Sequence, residues 1–249
     1  MTTLENKVAL ITGAARGIGR AIAERYGSLG AKVVVNYSRD EKNALDTVAA
    51  IERSGSAAIA IQADVSKVAD IERLFDASID HFGVIDIVVA NAGVEIVDQP
   101  IVDFTEEDFD RLFAINTKGA FFTLQMAARR IVDHGRIIYI GSSSTSMPVP
   151  GTGLYSGSKM AARHLVEVLA MEIGHRGVAV NSIIPTAIEG AGVFTDSVDQ
   201  KFRDYVESSR PMGRMGRVED VANAAEYLAS DLAAFVSGQH LLLSGGGQA

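Results

Sequence analysis

A tyrosine and a lysine, Tyr155 and Lys159, stand four residues apart in a segment whose pattern predicts the start of a helix. On a helix, side chains at this spacing share one face and lie about 5–6 Å apart. An ammonium group beside a phenol favours the phenolate and lowers a pKa that is ordinarily about 10. Such a tyrosine can donate a proton to a carbonyl oxygen and take one back in the reverse reaction. Taken alone, the same spacing is also typical of a core aromatic beside a solvated lysine.

Two further polar residues have positions that suit the same chemistry. Ser142 follows a predicted strand, and its hydroxyl can hydrogen-bond both a substrate oxygen and the phenol of Tyr155. Asn116 lies inside an otherwise amphipathic helical pattern, so its amide needs a partner, which a water leading to Lys159 would supply. A structural hydrogen bond between helices is the alternative for Asn116. We therefore predict a catalytic set of Asn116, Ser142, Tyr155 and Lys159.

A glycine-rich loop, residues 12–19, follows the first predicted strand and precedes a helical pattern. Glycines at such a turn let the backbone approach a pyrophosphate, which then lies at the positive end of the helix. The spacing differs from the usual G-x-G-x-x-G of dinucleotide-binding folds, and a tight strand–helix connection is the alternative. The residues that we predict to bind a nucleotide here are Gly13, Ala15, Arg16, Gly17, Ile18 and Gly19.

The end of the second predicted strand indicates which nicotinamide cofactor is bound. An acidic side chain there would bind the ribose 2′-hydroxyl and repel a 2′-phosphate. From the end of this strand the first acid is Asp40, whereas Arg39 and Arg16 can pair with a phosphate. These arginines are otherwise ordinary solvated residues. We predict NADPH in preference to NADH, bound in part by Asn36, Tyr37, Ser38 and Arg39.

Polar or small residues also follow the third and fourth predicted strands. Asp64, followed by Val65, can accept a hydrogen bond from an adenine amino group, although an Asp at a strand end is as often a helix cap. The segment Asn91, Ala92 and Gly93 lets the backbone pass close to a cofactor ribose, and it equally suits strand stabilisation. We expect all five residues to contact the cofactor.

Short apolar, β-branched runs alternate with helical patterns along the whole chain. Runs that are apolar throughout are typical of parallel strands covered by helices on both faces. The alternation predicts an α/β, Rossmann-type, doubly wound parallel sheet in a single catalytic domain over residues 1–249, with a partly helical substrate lid at about 185–217. The predicted strands are 8–12, 32–36, 57–61, 86–90, 136–140, 178–184 and 240–243; the predicted helices are near 17–29, 40–54, 67–82, 105–131, 153–174 and 218–230.

Composition excludes several classes of function. A net charge of −8 argues against nucleic acid as the main partner, and no basic run indicates a membrane surface. The absence of cysteine excludes disulfides and thiol catalysis, and the five histidines lack metal-ligand spacing, so we expect no required metal. Without an apolar signal core or a bilayer-length apolar stretch, the sequence predicts a cytoplasmic protein that acts on a small molecule.

In the order and spacing of these motifs, the chain resembles the classical short-chain dehydrogenases/reductases over essentially its whole length. The resemblance implies a seven-stranded sheet, a homotetramer and NADP(H)-linked interconversion of a ketone and a secondary alcohol. It implies that Tyr155 is the acid/base, that Lys159 activates the phenol and binds the nicotinamide ribose, that Ser142 orients the substrate, and that Asn116 anchors a relay water. It further implies cofactor contacts from Pro185, Thr186 and Ile188.

The sequence departs from the family pattern at three places. Thr186 follows Pro185 where the family has glycine, and Gly190 replaces a threonine that usually contacts the nicotinamide amide. Thr186 or Thr195 is a possible substitute. Ser244 stands where the family usually has Asp, ahead of a glycine run.

The sequence does not identify the substrate. Apolar residues with Glu95 and Glu189 as polar points predict a mostly apolar ketone of modest size. One alternative is a 3-oxoacyl-[acyl-carrier-protein] reductase, which would need a basic dock such as Arg129, Arg130 and Arg176. Another is a non-catalytic dinucleotide sensor on the same fold.

Overall fold

Seven parallel strands form the central sheet of the computed structural model, which describes residues 2–195 and 197–247. The strands within these ranges are β1 (Val8–Ile11), β2 (Lys32–Tyr37), β3 (Ala58–Gln62), β4 (Ile87–Ala90), β5 (Arg136–Ile140), β6 (Ala179–Pro185), β7 (Ile188–Glu189), β8 (Gly216–Arg217) and β9 (His240–Leu243). Their order in the sheet is β3-β2-β1-β4-β5-β6-β9, and β7 pairs separately with β8. The predicted seven-stranded, doubly wound parallel sheet is confirmed.

Helices cover both faces of this sheet. They are α1 (Gly17–Ser28), α2 (Glu41–Arg53), α3 (Val68–Phe82), α4 (Glu106–Leu112), α5 (Ala120–Arg130), α6 (Gly153–Ile173), α7 (Gln200–Ser209) and α8 (Val218–Ala229). A π-helical segment, Phe113–Gly119, joins α4 to α5. None of the helices in the described part of the chain is both long and apolar enough to cross a membrane.

Two apolar clusters, one on each face, form the core. One contains Tyr26 of α1 and Val221 of α8, and the other contains Phe75 of α3 and Val166 of α6. Successive strand residues point to opposite faces, so Val33 and Val34 of β2 belong to different clusters. Because both faces are buried, each strand needs apolar residues at every position, which explains the continuous apolar runs in the sequence.

The strand order reverses beside β1, which lies between β2 and β4. Hydrogen bonds tie the carboxyl ends of these strands together at that point. The Thr12 hydroxyl accepts from the backbone N–H groups of Asn91 and Ala92, each at 3.0 Å, and the Asn91 amide donates to the carbonyls of Thr12 and Gly13 at 2.9 and 3.1 Å. In open α/β sheets, ligands bind in the crevice at such a reversal.

Most predicted elements lie within one or two residues of their observed bounds, with one clear exception. The helical pattern predicted over 105–131 is divided, because the backbone widens into the π-helical turn around Asn116. The predicted lid region contains β7, β8 and α7, together with a short 3₁₀ turn, Gly192–Phe194. The prediction that this region is partly helical is therefore confirmed.

Candidate active site

A cavity of about 630 Å³ runs along the carboxyl ends of the strands, from the glycine loop to Tyr155. Nearly all of the residues that the sequence predicts for the site line it. Gly19 and Asn116 are the two that do not, since both are buried behind its wall. The predicted residues on the wall are Gly13, Ala15, Arg16, Gly17, Ile18, Asn36, Tyr37, Ser38, Arg39, Asp64, Val65, Asn91, Ala92, Gly93, Ser142, Tyr155, Lys159, Pro185, Thr186 and Ile188.

The glycine loop prepares one end of this cavity for an anion. Gly13 and Gly17 have φ values of +64° and +57°, which L side chains rarely adopt. Helix α1 begins at Gly17 with no acidic residue in its first turn, and no side chain caps its free N–H groups. Its positive end therefore suits a pyrophosphate. Gly19 is required for packing, because a Cβ there would lie 2.4 Å from the Gly13 carbonyl oxygen.

Asn36 supports the glycine loop through its own side chain. Its Oδ1 accepts from the Gly13 N–H at 3.1 Å, and its Nδ2 donates to the carbonyls of Tyr37, Ile61 and Ala63. The side chain is only 1% exposed, and all of these hydrogen bonds are to backbone groups. Asn36 thus shapes the cavity wall by holding the ends of β2 and β3 to the loop.

Asp64 has a similar local role. Its Oδ1 accepts from the N–H and the hydroxyl of Ser66, at 3.0 and 2.7 Å, and so closes the turn before α3. The alternative considered for an Asp at a strand end, a local turn or cap, is therefore what the geometry shows for this oxygen. Asp64 still borders the cavity.

Three polar side chains are exposed where the cavity passes the end of β2: Arg16, Ser38 and Arg39. The acid that follows them, Asp40, is directed to α2, where it accepts from the Asn43 N–H at 3.3 Å and the Asn43 side chain at 2.7 Å. These hydrogen bonds, more than the positive charge of Arg16, hold the pKa of Asp40 below its ordinary value. The cavity at this point is therefore lined by two cations, a hydroxyl and Asp40, whose carboxylate is engaged with Asn43.

Tyr155 lies at the opposite end of the cavity and is the third residue of α6. Its side chain is largely buried, and its hydroxyl donates to Oε1 of Glu95 at 3.1 Å. Burial, and next the negative charge of Glu95, raise the pKa of Tyr155 well above its ordinary value, while the neighbouring Ser142 hydroxyl acts in the opposite direction. The phenol is thus held in its protonated form.

Lys159 lies one turn further along α6 and is 4% exposed. Its ammonium donates to the Ile140 carbonyl at 3.3 Å and lies 5.6 Å from the centre of the Tyr139 ring. Burial lowers the pKa of Lys159 to about 8, partly offset by the charge of Glu95. The lowered pKa expected for Tyr155 is not found in this structure, because burial and Glu95 raise it.

Asn116 is fully buried in the π-helical segment. Its Oδ1 accepts from the Val94 N–H at 2.9 Å, and its Nδ2 donates to the Val94 carbonyl and the Ser158 hydroxyl at 2.8 and 2.9 Å. Protein groups therefore satisfy the amide. Its Oδ1 and the Lys159 ammonium border the same point beside Gly93, where a Cβ would lie 3.2 and 2.7 Å from them.

The three departures from the family pattern lie around the lid region. The hydroxyl of Thr186 donates to the Leu243 carbonyl of β9 at 3.1 Å, and that of Thr195 donates to the Gly192 carbonyl at 2.7 Å. Gly190 has a φ of +81°, so a threonine in this conformation would be strained. The Ser244 carbonyl accepts from the Arg210 side chain at 3.3 Å and so ties the C-terminal glycine run to the end of the lid region.

The sequence alone underestimates the role of Glu95 in the site. It was expected only as a polar point of a substrate pocket, whereas it contacts Tyr155 directly and lines the cavity. Its position two residues after Gly93 is the only sequence signal for this role. The other predicted polar point, Glu189, is outside the cavity wall and forms an ion pair with Arg203 of α7.

Comparisons with known proteins agree with this geometry. A family model described as enoyl-(acyl carrier protein) reductase matches residues 13–248. The hydroxynaphthalene reductase-like protein Arp2 of Metarhizium brunneum is 39% identical, and the alignment covers 98% of this chain and 96% of that protein. Versicolorin reductase stcU of Emericella nidulans is also 39% identical, with the same coverage.

A short-chain dehydrogenase from Burkholderia cenocepacia, solved in complex with NADP, has the same fold. It superimposes with a TM-score of 0.92 at 33% identity, covering 99% of both chains. The chain therefore belongs to the short-chain dehydrogenase/reductase family of oxidoreductases.

The buried lysine should cost the protein stability. Because burial lowers its pKa from 10.5 to about 8, the ammonium is disfavoured in the folded state by about 3 kcal/mol. Lys159→Met should therefore raise the free energy of unfolding at pH 7 by about 1–3 kcal/mol, after loss of the bond to Ile140. Chemical denaturation without added cofactor measures this change.

The stability cost of the buried Lys159 should depend on pH in a definite direction. Lys159 is charged in both states below pH 8, so the whole cost is present there, and it disappears as the pH rises from 8 to 10.5. The advantage of Lys159→Met over wild type should shrink over that range. The exposed Lys118→Met is the control and should show no such trend. A variant less stable than wild type at pH 7 would contradict the assignment.

Proposed function

We propose that this protein is an NADP(H)-dependent oxidoreductase that interconverts a ketone and a secondary alcohol. The observation that carries the proposal is a single cavity with a helix N-terminus and glycine loop at one end and Tyr155, Lys159 and Ser142 at the other. The names of two relatives, a hydroxynaphthalene reductase-like protein and a versicolorin reductase, support reduction of a carbonyl group. The NADP complex of the Burkholderia protein supports the cofactor.

The residues of the cavity wall fit a nicotinamide dinucleotide. Free N–H groups at the start of α1 suit the pyrophosphate, and the small residues Ala92 and Gly93 let a ribose approach the ends of β1 and β4. Pro185, Thr186 and Ile188 also line the cavity. When bound, the cofactor supplies or accepts the hydride.

Tyr155 is the general acid in the direction of reduction. The raised pKa keeps its phenol protonated at neutral pH, as a donor to the carbonyl oxygen requires. Ser142 orients that oxygen with its hydroxyl. Lys159 would hold a positive charge beneath the site and bind the nicotinamide ribose. Asn116 fixes the loop that carries Val94, and the second lone pair of its Oδ1 would accept from a relay water. In the direction of oxidation, the proton transfer at Tyr155 is reversed.

NADPH is preferred over NADH in this proposal. Arg16 and Arg39 face the cavity at the end of β2, where a 2′-phosphate would lie, and arginine binds phosphate in a bidentate manner. Ser38 adds a hydroxyl. Asp40 also borders this part of the cavity, and its carboxylate accepts two hydrogen bonds from Asn43 at the start of α2.

The remaining parts of the proposal concern the lid, the assembly and the setting. Residues 185–217 act as the substrate lid, since the 3₁₀ turn within them borders both the cavity and Glu95. A homotetramer is supported by the exposed apolar side chains Met160, Val168 and Met171 on α6. We place the protein in the cytoplasm. Its substrate is a small molecule, and neither nucleic acid nor a membrane is a partner.

The structure supports the alternative, a 3-oxoacyl-[acyl-carrier-protein] reductase, less well. Two of the three arginines expected to dock an acidic carrier are already paired, Arg130 with Asp76 at 2.6 Å and Arg176 with Asp133 at 2.8 Å. A stand-alone carbonyl reductase is therefore the better proposal. A panel of simple ketones, 3-oxo esters and a carrier-linked 3-oxoacyl thioester, assayed by NADPH oxidation, ranks the two.

Tyr155→Phe removes the proton donor and keeps the ring. It should lower kcat for ketone reduction roughly 10²–10⁴-fold, the usual contribution of general acid–base catalysis, with little change in the Kd for NADPH. Steady-state kinetics and fluorescence titration measure the two quantities. Near-normal turnover would contradict the mechanism. NADPH binding without turnover of any panel member by the wild type would favour a dinucleotide sensor instead.

Arg39→Ala and Arg16→Ala each remove a cation from the proposed 2′-phosphate pocket. A hydrogen bond to a charged group contributes roughly 1.5–3 kcal/mol, so each variant should raise the Kd for NADPH about tenfold or more. The Kd for NADH should change little, because NADH lacks the phosphate. Lys42→Ala, an exposed lysine outside the cavity wall, is the matched control for net charge. Equal weakening of both cofactors would overturn the pocket.

A further inference from the structure

Among the described residues, Glu95 forms no ion pair that would explain its position beside the Tyr155 phenol. Its Oε1 accepts from the Tyr155 hydroxyl, and its Oε2 accepts from the Val193 N–H in the lid region at 3.0 Å. The ion pairs among the described residues do not include Glu95. Each oxygen of the carboxylate therefore depends on a single donor, and one of these donors is the group that performs the reaction.

The position of Glu95 is fixed from two sides. Asn116 holds its neighbour Val94 by both the backbone N–H and the carbonyl, at 2.9 and 2.8 Å. On the other side the carboxylate packs against Gly192, where an added Cβ would lie 2.4 Å from Oε2. Gly192 has a φ of +57°, so the lid backbone is shaped to approach this side chain. The backbone before Glu95 and the contact with Gly192 thus both favour this position of the carboxylate.

The reaction removes the donor on which Oε1 depends. A ketone oxygen in productive position takes the hydrogen bond of Tyr155, and Oε1 is then left facing the substrate without a donor. Glu95 is half-buried at the cavity wall, so a substrate that excludes water from Oε1 leaves this oxygen without a hydrogen bond, which is unfavourable. A substrate with a hydroxyl close to its carbonyl restores the bond, and one without a hydroxyl does not.

Distances set where that hydroxyl must be. Tyr155 and Oε1 are 3.1 Å apart, and each would hold its substrate oxygen at about 2.7–2.8 Å, the usual O–H···O length. The two substrate oxygens can therefore lie side by side, as they do when the hydroxyl is carried by a carbon one or two bonds from the carbonyl carbon.

We propose that Glu95 is a specificity-determining residue that selects α- and β-hydroxy ketones, by accepting a hydrogen bond from the substrate hydroxyl while Tyr155 donates to the carbonyl oxygen. This inference rests on the proposed ketone reduction and names the substrate class of the same site. In the direction of oxidation, the same contact selects vicinal and 1,3-diols. Its contribution is a difference between substrates, so it is measured on matched pairs.

Three ketones of one framework form the test: 2-hydroxy-1-phenylethanone, its methyl ether and 1-phenylethanone. The ether keeps the oxygen and the bulk but cannot donate a hydrogen bond. Wild type should show kcat/KM at least tenfold higher for the hydroxy ketone than for the ether. Glu95→Leu should bring this ratio close to one, and Glu95→Gln, which keeps the shape and an acceptor oxygen, should give an intermediate ratio. The control Asp98→Asn removes a carboxylate from the same loop, outside the cavity wall, and should keep the wild-type ratio.

The outcomes separate the two proposals. Turnover of all three ketones without preference for the hydroxyl, or an equal loss with every ketone in both Glu95 variants, overturns the role of Glu95 and makes it a lid contact only. Absence of turnover with any ketone in wild type overturns the proposed function itself. If Glu95→Leu fails to fold, the ratio in Glu95→Gln decides, and an unchanged ratio there overturns the inference.

Discussion

The burial of Tyr155 and Lys159 on one face of α6 is the constraint on which the rest of the site depends. An ionisable pair buried in this way is expensive, and its protonation states are set by what surrounds it. Here desolvation raises the pKa of Tyr155 and lowers that of Lys159 to about 8. The phenol is therefore held as an acid, and the lysine is a cation that the fold tolerates at the expense of stability.

The remainder of the fold positions other groups around that pair. Parallel strands bring their carboxyl ends to one edge of the sheet, and Thr12, Asn36 and Asn91 lock those ends together through backbone hydrogen bonds. The glycine loop can approach this edge because Gly19 has no Cβ. The π-helical turn then places Asn116 where it holds Val94, and with it the loop that carries Glu95. A local backbone irregularity thus helps to set the position of the side chain that contacts Tyr155.

Much of this could be predicted from the sequence, for identifiable physical reasons. Strands buried on both faces must be apolar throughout, so β2 and β5 were evident as uninterrupted runs. The four-residue spacing of Tyr155 and Lys159 fixes their common face on any helix. The predicted start of α1, at Gly17, agrees with the structure. The predicted bounds failed where the π-helical segment divides a continuous pattern, since amphipathic spacing does not report a widened turn.

What could not be predicted depends on contacts between distant segments. Glu95 meets Val193 of the lid region across 98 residues, and no local pattern signals that contact. The direction of the Tyr155 pKa was predicted wrongly, because spacing reveals the neighbouring lysine but not the burial or the carboxylate. Asn36 and Asp64 were predicted from their places at strand ends, and their side chains turned out to hold backbone groups. Residue type at a strand end thus indicates the site better than it indicates each partner.

The most direct test of the account is a pH titration of Tyr155 in the protein without cofactor, followed by NMR with carbon-13 at the phenol carbon of tyrosine. The chain has six tyrosines, and comparison with Tyr155→Phe assigns the signal. The account predicts that the Tyr155 signal stays that of a protonated phenol up to at least pH 10. A titration near neutral pH would contradict it, since the lysine would then outweigh burial and Glu95, and the site would hold a phenolate.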